Sequence, residues 1–144
     1  DLPTGTCACF VDVASRERSM VGARGAAAAM EAAFLDDVKV SPFVSSAAII
    51  YITAFVLSTP QRAECARRLA NFAAAGKAAF AMNLSSAGIL SKVHATVTEL
   101  LPTCRYIFGN LGEMLAFARI CGWDRSDDPR CTIERLASSI SPEG

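Results

Sequence analysis

From residue 48 onward the chain alternates three times between a short apolar run rich in β-branched and aromatic residues and a longer segment whose apolar positions recur at helical spacing. Strands joined through helices pair in parallel, and a parallel sheet must be covered by those helices, so this order predicts an α/β fold. Residues 48–55, "AIIYITAF", are the first strand pattern, and Ser58-Thr59-Pro60 opens a helix to about Ala75 with Gly76 as its stop. Ala63, Ala66, Leu69, Ala70 and Ala73 form the apolar stripe of that helix. Residues 77–84 are the second strand, and 89–101 are a helix ended by Pro102. The third strand is 104–108, followed by a helix over 111–121 capped by Gly122. The polar loop "WDRSDDPR" leads into a last helix near 132–140.

The first part of the chain reads differently. Residues 4–13 and 18–21 pattern as two strands turning near Ala14-Ser15-Arg16-Glu17, a β-hairpin. Residues 26–35 have the alanine content of a helix or serve as a tight packing surface, and a short helix follows Ser41-Pro42. At 144 residues the whole is one domain's worth of chain. The apolar run 47–57 is interrupted by Thr53 and is about half a membrane span, so it is expected to be a buried strand. A formal net charge of zero gives no overall field to recruit nucleic acid or an anionic membrane.

The opening Asp-Leu-Pro has neither a basic nor an apolar leader region, so no signal peptide is expected there. Cys7, Cys9, Cys65, Cys104, Cys121 and Cys131 show no CxxC pair and no zinc-type spacing. Their mostly apolar neighbours predict buried free thiols in a reducing compartment, the cytoplasm.

In an open α/β sheet, ligands bind beyond the carboxyl ends of the strands. Three such ends carry polar residues that a core strand does not need: Ser58-Thr59, Asn83-Leu84-Ser85-Ser86, and Gly109-Asn110 with Glu113. Singly each is a cap or turn; together, at one edge, they mark a candidate site. Asn110 and Glu113 have the spacing of a capping box, and equally of a carboxylate placed where a helix N-terminus meets phosphates and their metal. There is no G-x-x-x-x-G-K-[ST], no G-x-G-x-x-G after a strand and no G-x-S-x-G. His94, mid-helix, is expected at the surface, and Cys7 has no nearby base to make it a nucleophile. Arg67-Arg68, Asp36-Asp37 and Asp127-Asp128 read as solvated residues.

Five segments in order, "PTGTCACFVD" followed by "RERSMV", then "YITAFVL", "FAMNLSSAGIL" and "YIFGNLGEMLAFA", resemble the adenosine kinases of the ribokinase-like (PfkB) carbohydrate and nucleoside kinase family. The resemblance implies the central part of a three-layer α/β/α fold with a mostly parallel sheet, plus a β-hairpin from the lid. On it, residues 1–24 are the lid hairpin and 25–144 an incomplete part of the core domain. Cys7 then lines the nucleoside pocket, Met20 falls where the family has a Leu packing on the base, and Arg18 reaches the phosphates and the charge of the transition state. Asn110 and Glu113 match the Asn-x-x-Glu motif that organises Mg2+, through water, and the ATP phosphates.

The implied activity is transfer of a phosphoryl group from ATP to the 5'-hydroxyl of adenosine, giving AMP for purine salvage. The implied partners are adenosine and ATP, with the intact protein a monomer that binds neither nucleic acid nor membrane. Two features depart from the family. Ser86-Ala87-Gly88 stands where an Ala-Pro-Phe usually supplies an aromatic wall for the base, and Val56 stands where a second Phe is common. The family's N-terminal ribose-binding Asp with its Gly-Gly turn, and its Gly-Ala-Gly-Asp motif with the catalytic base, have no counterpart in these residues, which run to Ser141-Pro142-Glu143-Gly144. The chain alone is therefore expected to be inactive. A related sugar or other nucleoside kinase, and a non-catalytic binding module, are the alternative readings.

Overall fold

The computed structural model describes residues 2–140, apart from the side chain of Lys77; the Ser141–Gly144 tail lies outside the described residues. Contacts divide the chain into two compact units, Asp1–Glu31 and Ala32–Gly144.

The first unit is the expected hairpin. Strands β1 (Thr6–Asp12) and β2 (Glu17–Ala23) pair antiparallel, Thr6 opposite Ala23 and Asp12 opposite Glu17. Asp12 organises the turn, its Oδ1 accepting from Ala14 N at 2.9 Å and its Oδ2 from the Ser15 hydroxyl at 2.8 Å. These bonds to the charged form hold the Asp12 carboxyl below its ordinary pKa. The alanine run is not an α-helix: Gly25–Ala29 and Ala32–Asp36 are two 3-10 turns, parted by the extended Met30. Ala26 donates its backbone N–H to Pro3 O at 2.7 Å, and Ala26 to Ala29 are exposed, so no packed face offsets the cost of helix nucleation.

In the second unit a short helix α1 (Ser41–Ser46) precedes the alternating part. Strands β3 (Ile49–Thr53), β4 (Ala79–Asn83) and β5 (Cys104–Phe108) form a parallel sheet in the order β3-β4-β5, as the alternation predicts. Helix α2 (Pro60–Phe72) links the first two strands and α3 (Ala87–Leu100) the next two. After β5 come α4 (Leu111–Ile120) and α5 (Pro129–Ser139). The first strand is shorter than the sequence suggests, because residues Ala54–Ser58 coil into a 3-10 turn. Beyond α2, Ala73–Lys77 form a wider π turn containing Gly76 at φ +76°, a backbone that favours glycine, and this ends the helix.

Sequential right-handed crossovers stepping one way across a sheet put both connecting helices on one face. Ile50, Ile52, Phe80, Met82 and Cys104 accordingly pack with Ala63, Ala66, Ala70, Leu90, Val93 and Val97 in one core, which Phe117 of α4 and Leu136 of α5 extend. Arg67 and Arg68 are not a solvated edge. Arg67 forms a two-point bridge to Glu99 of α3 at 2.7 and 2.8 Å, and Arg68 pairs with Asp36 at 2.6 Å while donating to Ala32 O.

The opposite face of the sheet is bare among the described residues. Ile49, Tyr51, Tyr106 and Phe108 are 42–60% exposed around an open groove of about 540 Å³ that Ala81 and Asn83 also line. Tyr51 and Phe108 meet edge to face at 6.0 Å between centroids. Parallel sheets are normally covered on both faces, and exposed aromatic surface of this kind drives association. The chain in solution is expected to self-associate as its concentration rises, and Tyr51→Lys to weaken that association. Sedimentation velocity checks this: a wild-type chain that stays monomeric throughout the micromolar range contradicts it.

Candidate functional site

The polar strand ends lie at the carboxyl edge of the sheet, where one side-chain bond joins the exits of β3 and β4 and one backbone bond joins those of β4 and β5. Asn83, last in β4, accepts from Ser85 N at 2.7 Å, forcing a tight turn with Ser85 at φ +69°. A left-handed backbone at a residue with a side chain is costly and is held only where surroundings demand it. The demand is visible: Ser85 Oγ accepts from Phe55 N at 3.2 Å, joining the exits of β3 and β4, and the fully buried Leu84 donates its N–H to Phe108 O at 2.9 Å, joining β4 to β5. Ser86 caps α3, accepting from Ile89 N at 3.3 Å.

At the third exit the capping box is complete. Glu113 N donates to Asn110 Oδ1 at 2.9 Å and Asn110 N to Glu113 Oε2 at 3.0 Å. Asn110 also donates from Nδ2 to Glu113 Oε1 at 3.0 Å, so each carboxylate oxygen receives one bond from the same residue. A carboxylate has about four acceptor positions, so this half-buried group keeps capacity for further donors such as metal-bound water. Gly109 is closely approached: a Cβ there would stand 3.2 Å from both Glu113 Oε2 and Leu84 Cδ1, so those side chains would have to give by a few tenths of an ångström. The first turn of α4 also supplies the positive end of a helix dipole beside the carboxylate.

Ser58 and Thr59 make no side-chain capping bond to α2, although Thr59 stands at its N-cap position. They hold Arg62, which is only 5% exposed, through bonds of 2.8 Å to Ser58 Oγ and 3.0 Å to Thr59 Oγ1, and its guanidinium lies 5.9 Å from the Phe55 ring centroid. Sequence reasoning missed both Arg62 and the linking role of Ser85. The i+3 and i+4 spacing from Thr59 and Ser58, and the Asn-x-Ser turn, were the available signals.

The candidate residues of the hairpin can be placed by register. Cys9 lies opposite Met20, Cys7 opposite Gly22, and Val11 opposite Arg18. Directly opposed residues share a face and alternate residues repeat it, so Cys7, Arg18 and Met20 all project from one face of the hairpin. All three are exposed. The expectation of buried thiols fails for Cys7 and Cys9, because a two-stranded ribbon has no interior within its own unit. It holds for Cys65 and Cys104, where burial raises both pKa values, that of Cys104 to about 12.

His94 is half-buried in α3 rather than at the surface, and its Nδ1 is buried with no hydrogen-bond partner among the described residues. Asp127 is solvated as expected, its side chain 81% exposed, whereas Asp128 is drawn into a helix cap. Asp127 bridges to Arg119 at 2.7 Å, and Asp128 caps α5 by accepting from Arg130 N and Cys131 N at 2.9 and 3.3 Å. The bonds at Asp128, that from Cys131 N first, hold its carboxyl below the ordinary range. No group of three His, Cys, Asp or Glu among the described residues is arranged to hold a metal directly, and no helix is long and apolar enough to cross a membrane.

Polar groups gather at the carboxyl edge of a parallel sheet, with a carboxylate at the first helical turn beyond it, which is the place where α/β folds in general meet their ligands. The family model of the pfkB family carbohydrate kinases matches residues 1–139, and the chain belongs to that family. Adenosine kinase 1 of Arabidopsis thaliana is 33% identical over 140 residues, covering 96% of this chain and 38% of the relative. Adenosine kinase of Anopheles gambiae, solved with P1,P4-di(adenosine-5) tetraphosphate, superposes with a TM-score of 0.85 at 27% identity over 97% of this chain and 40% of its own. The Schistosoma mansoni enzyme, in complex with adenosine in an occluded loop conformation, gives a TM-score of 0.81 at 28% identity over 94% of this chain and 38% of its own. The chain thus spans about two-fifths of the length of these relatives.

Proposed function

We propose that this chain forms the lid hairpin, residues 1–24, and the central part of the α/β core, residues 25–144, of an ATP-dependent adenosine kinase. The observation that carries the reading is the Asn110–Glu113 pair. It stands at the exit of a parallel strand with both carboxylate oxygens oriented by Asn110 and still able to accept. The likeness to adenosine kinases over 96% of the chain supports the same reading. Glu113 and Asn110 would hold hydrated Mg2+, whose chemistry there is to neutralise charge on the ATP phosphates.

The common face of the hairpin supports the other assignments. Cys7 and Met20 present soft apolar atoms to a nucleoside, and Arg18, on the same face, presents a fixed cation to phosphate. Phosphoryl transfer also needs a base for the attacking hydroxyl and donors for the transferred group. No Gly-Ala-Gly-Asp motif occurs in this sequence, so that base is proposed to come from other parts of the intact enzyme.

Gly88 favours a second reading, a related nucleoside or sugar kinase. Glycine offers no side chain to wall a base from this position, and a Cβ there would meet nothing within 4 Å. The test is a hybrid in which this chain replaces the segment it matches in the Arabidopsis thaliana enzyme, assayed with adenosine, other nucleosides and ribose. Adenosine is expected to give the highest kcat/KM. A higher value for ribose or another nucleoside overturns the assignment in favour of the second reading.

A further inference from the structure

Cys7 and Cys9 alternate onto one face of β1, and the residue directly across from Cys9 is Met20. Both thiols are free and exposed, and Met20 is 61% exposed. Across from Cys7 stands Gly22, where an added Cβ would lie 3.9 Å from the Cys7 sulfur, so no cross-strand side chain covers it. We propose that, when no nucleoside occupies this face, Cys7, Cys9 and Met20 form a three-sulfur site for a soft monovalent cation, Cu(I).

Residues two apart on a strand are about 6.6 Å apart. Three metal–sulfur bonds of about 2.3 Å arranged trigonally need sulfurs about 4.0 Å apart, so each thiol leans inward by about 1.3 Å. The present contact of the Cys7 thiol, with Ala8 O at 3.9 Å, is weak enough to give up. Met20, a cross-strand neighbour at about 5 Å between Cβ atoms, brings its thioether over the pair as third ligand. Binding exchanges two thiol protons, released to solvent, for one Cu(I), and no electrons move.

The donor set selects the ion. Two thiolates and a thioether suit Cu(I), whereas Zn2+ wants a fourth ligand and Mg2+ wants oxygens. Asp12 and Glu17, the nearest carboxylates in sequence, oppose each other on the other face of the hairpin. Arg18, on the sulfur face, balances the single negative charge of the loaded site. The remaining cysteines lie elsewhere: Cys65 and Cys104 are buried, Cys121 contacts Thr98, and Cys131 donates to Asp128.

The experiment titrates the 144-residue chain anaerobically with Cu(I) against a chromophoric Cu(I) chelator. One tightly bound equivalent is expected. Cys9→Ser is expected to weaken it by at least about a hundredfold and Met20→Leu by about tenfold, with Cys121→Ser and Cys131→Ser unchanged. X-ray absorption on the loaded wild type is expected to show sulfur ligands alone. Wild-type affinity in Cys9→Ser, loss of the equivalent in Cys121→Ser or Cys131→Ser, or Zn2+ held as tightly as Cu(I) overturns the proposal. Wild-type affinity in Met20→Leu overturns the three-sulfur site.

Discussion

Replacing Glu113 by Gln in the hybrid enzyme is expected to leave melting nearly unchanged and to lower turnover by roughly ten- to a hundredfold, with a raised magnesium requirement. The two halves of that expectation come from the same geometry. Asn110 N and Nδ2 donate to the two carboxylate oxygens of Glu113. A Gln amide oxygen still accepts the backbone bond, so the capping box loses about 1 kcal/mol or less. Its other terminal atom becomes an NH2 and cannot accept, and the charge is gone. A neutral amide orients metal-bound water far more weakly than a carboxylate does. Wild-type turnover and magnesium dependence in Glu113→Gln would mean that the carboxylate is a cap and nothing more.

Arg18→Ala is expected to lower kcat by about tenfold or more, a larger effect than its rise in the adenosine KM. Arg18 lies on the hairpin face that carries Cys7 and Met20, and it is exposed. A guanidinium that meets phosphate as charge redistributes acts on the transition state more than on bound adenosine. Steady-state kinetics of the hybrid, with adenosine and ATP varied separately, separates the two effects. A change in KM alone would make Arg18 a ground-state contact. No change in either constant would make it a solvated hairpin arginine.

The legible parts of the sequence were those in which local chemistry and tertiary demand agree. The strand Cys104–Phe108 lies between Pro102 and Gly109, and its limits are those the pattern predicts. Asn110 and Glu113 announce a capping box by spacing alone, and the bonds are present. The alanine run was misleading because Ala26 to Ala29 are exposed, and propensity alone does not nucleate a helix where no face is buried. The same reasoning covers Cys7 and Cys9, whose apolar neighbours in sequence line a ribbon with no interior of its own. Long-range partners were the least legible. Nothing local tells that Ser85 reaches the backbone of Phe55, thirty residues away, or that Arg67 reaches Glu99. The bare sheet face follows from topology, since two crossovers in one direction leave the other face to elements beyond them.

The proposed assignment makes the chain necessary for adenosine phosphorylation and insufficient for it. The most direct test follows the transfer of labelled γ-phosphate from ATP to adenosine by the 144-residue chain and by the hybrid, side by side with Mg2+. The account predicts no AMP from the chain alone and magnesium-dependent AMP from the hybrid. AMP formed by the chain alone and abolished by Glu113→Gln, or a hybrid that folds and binds ATP yet forms none, would contradict it.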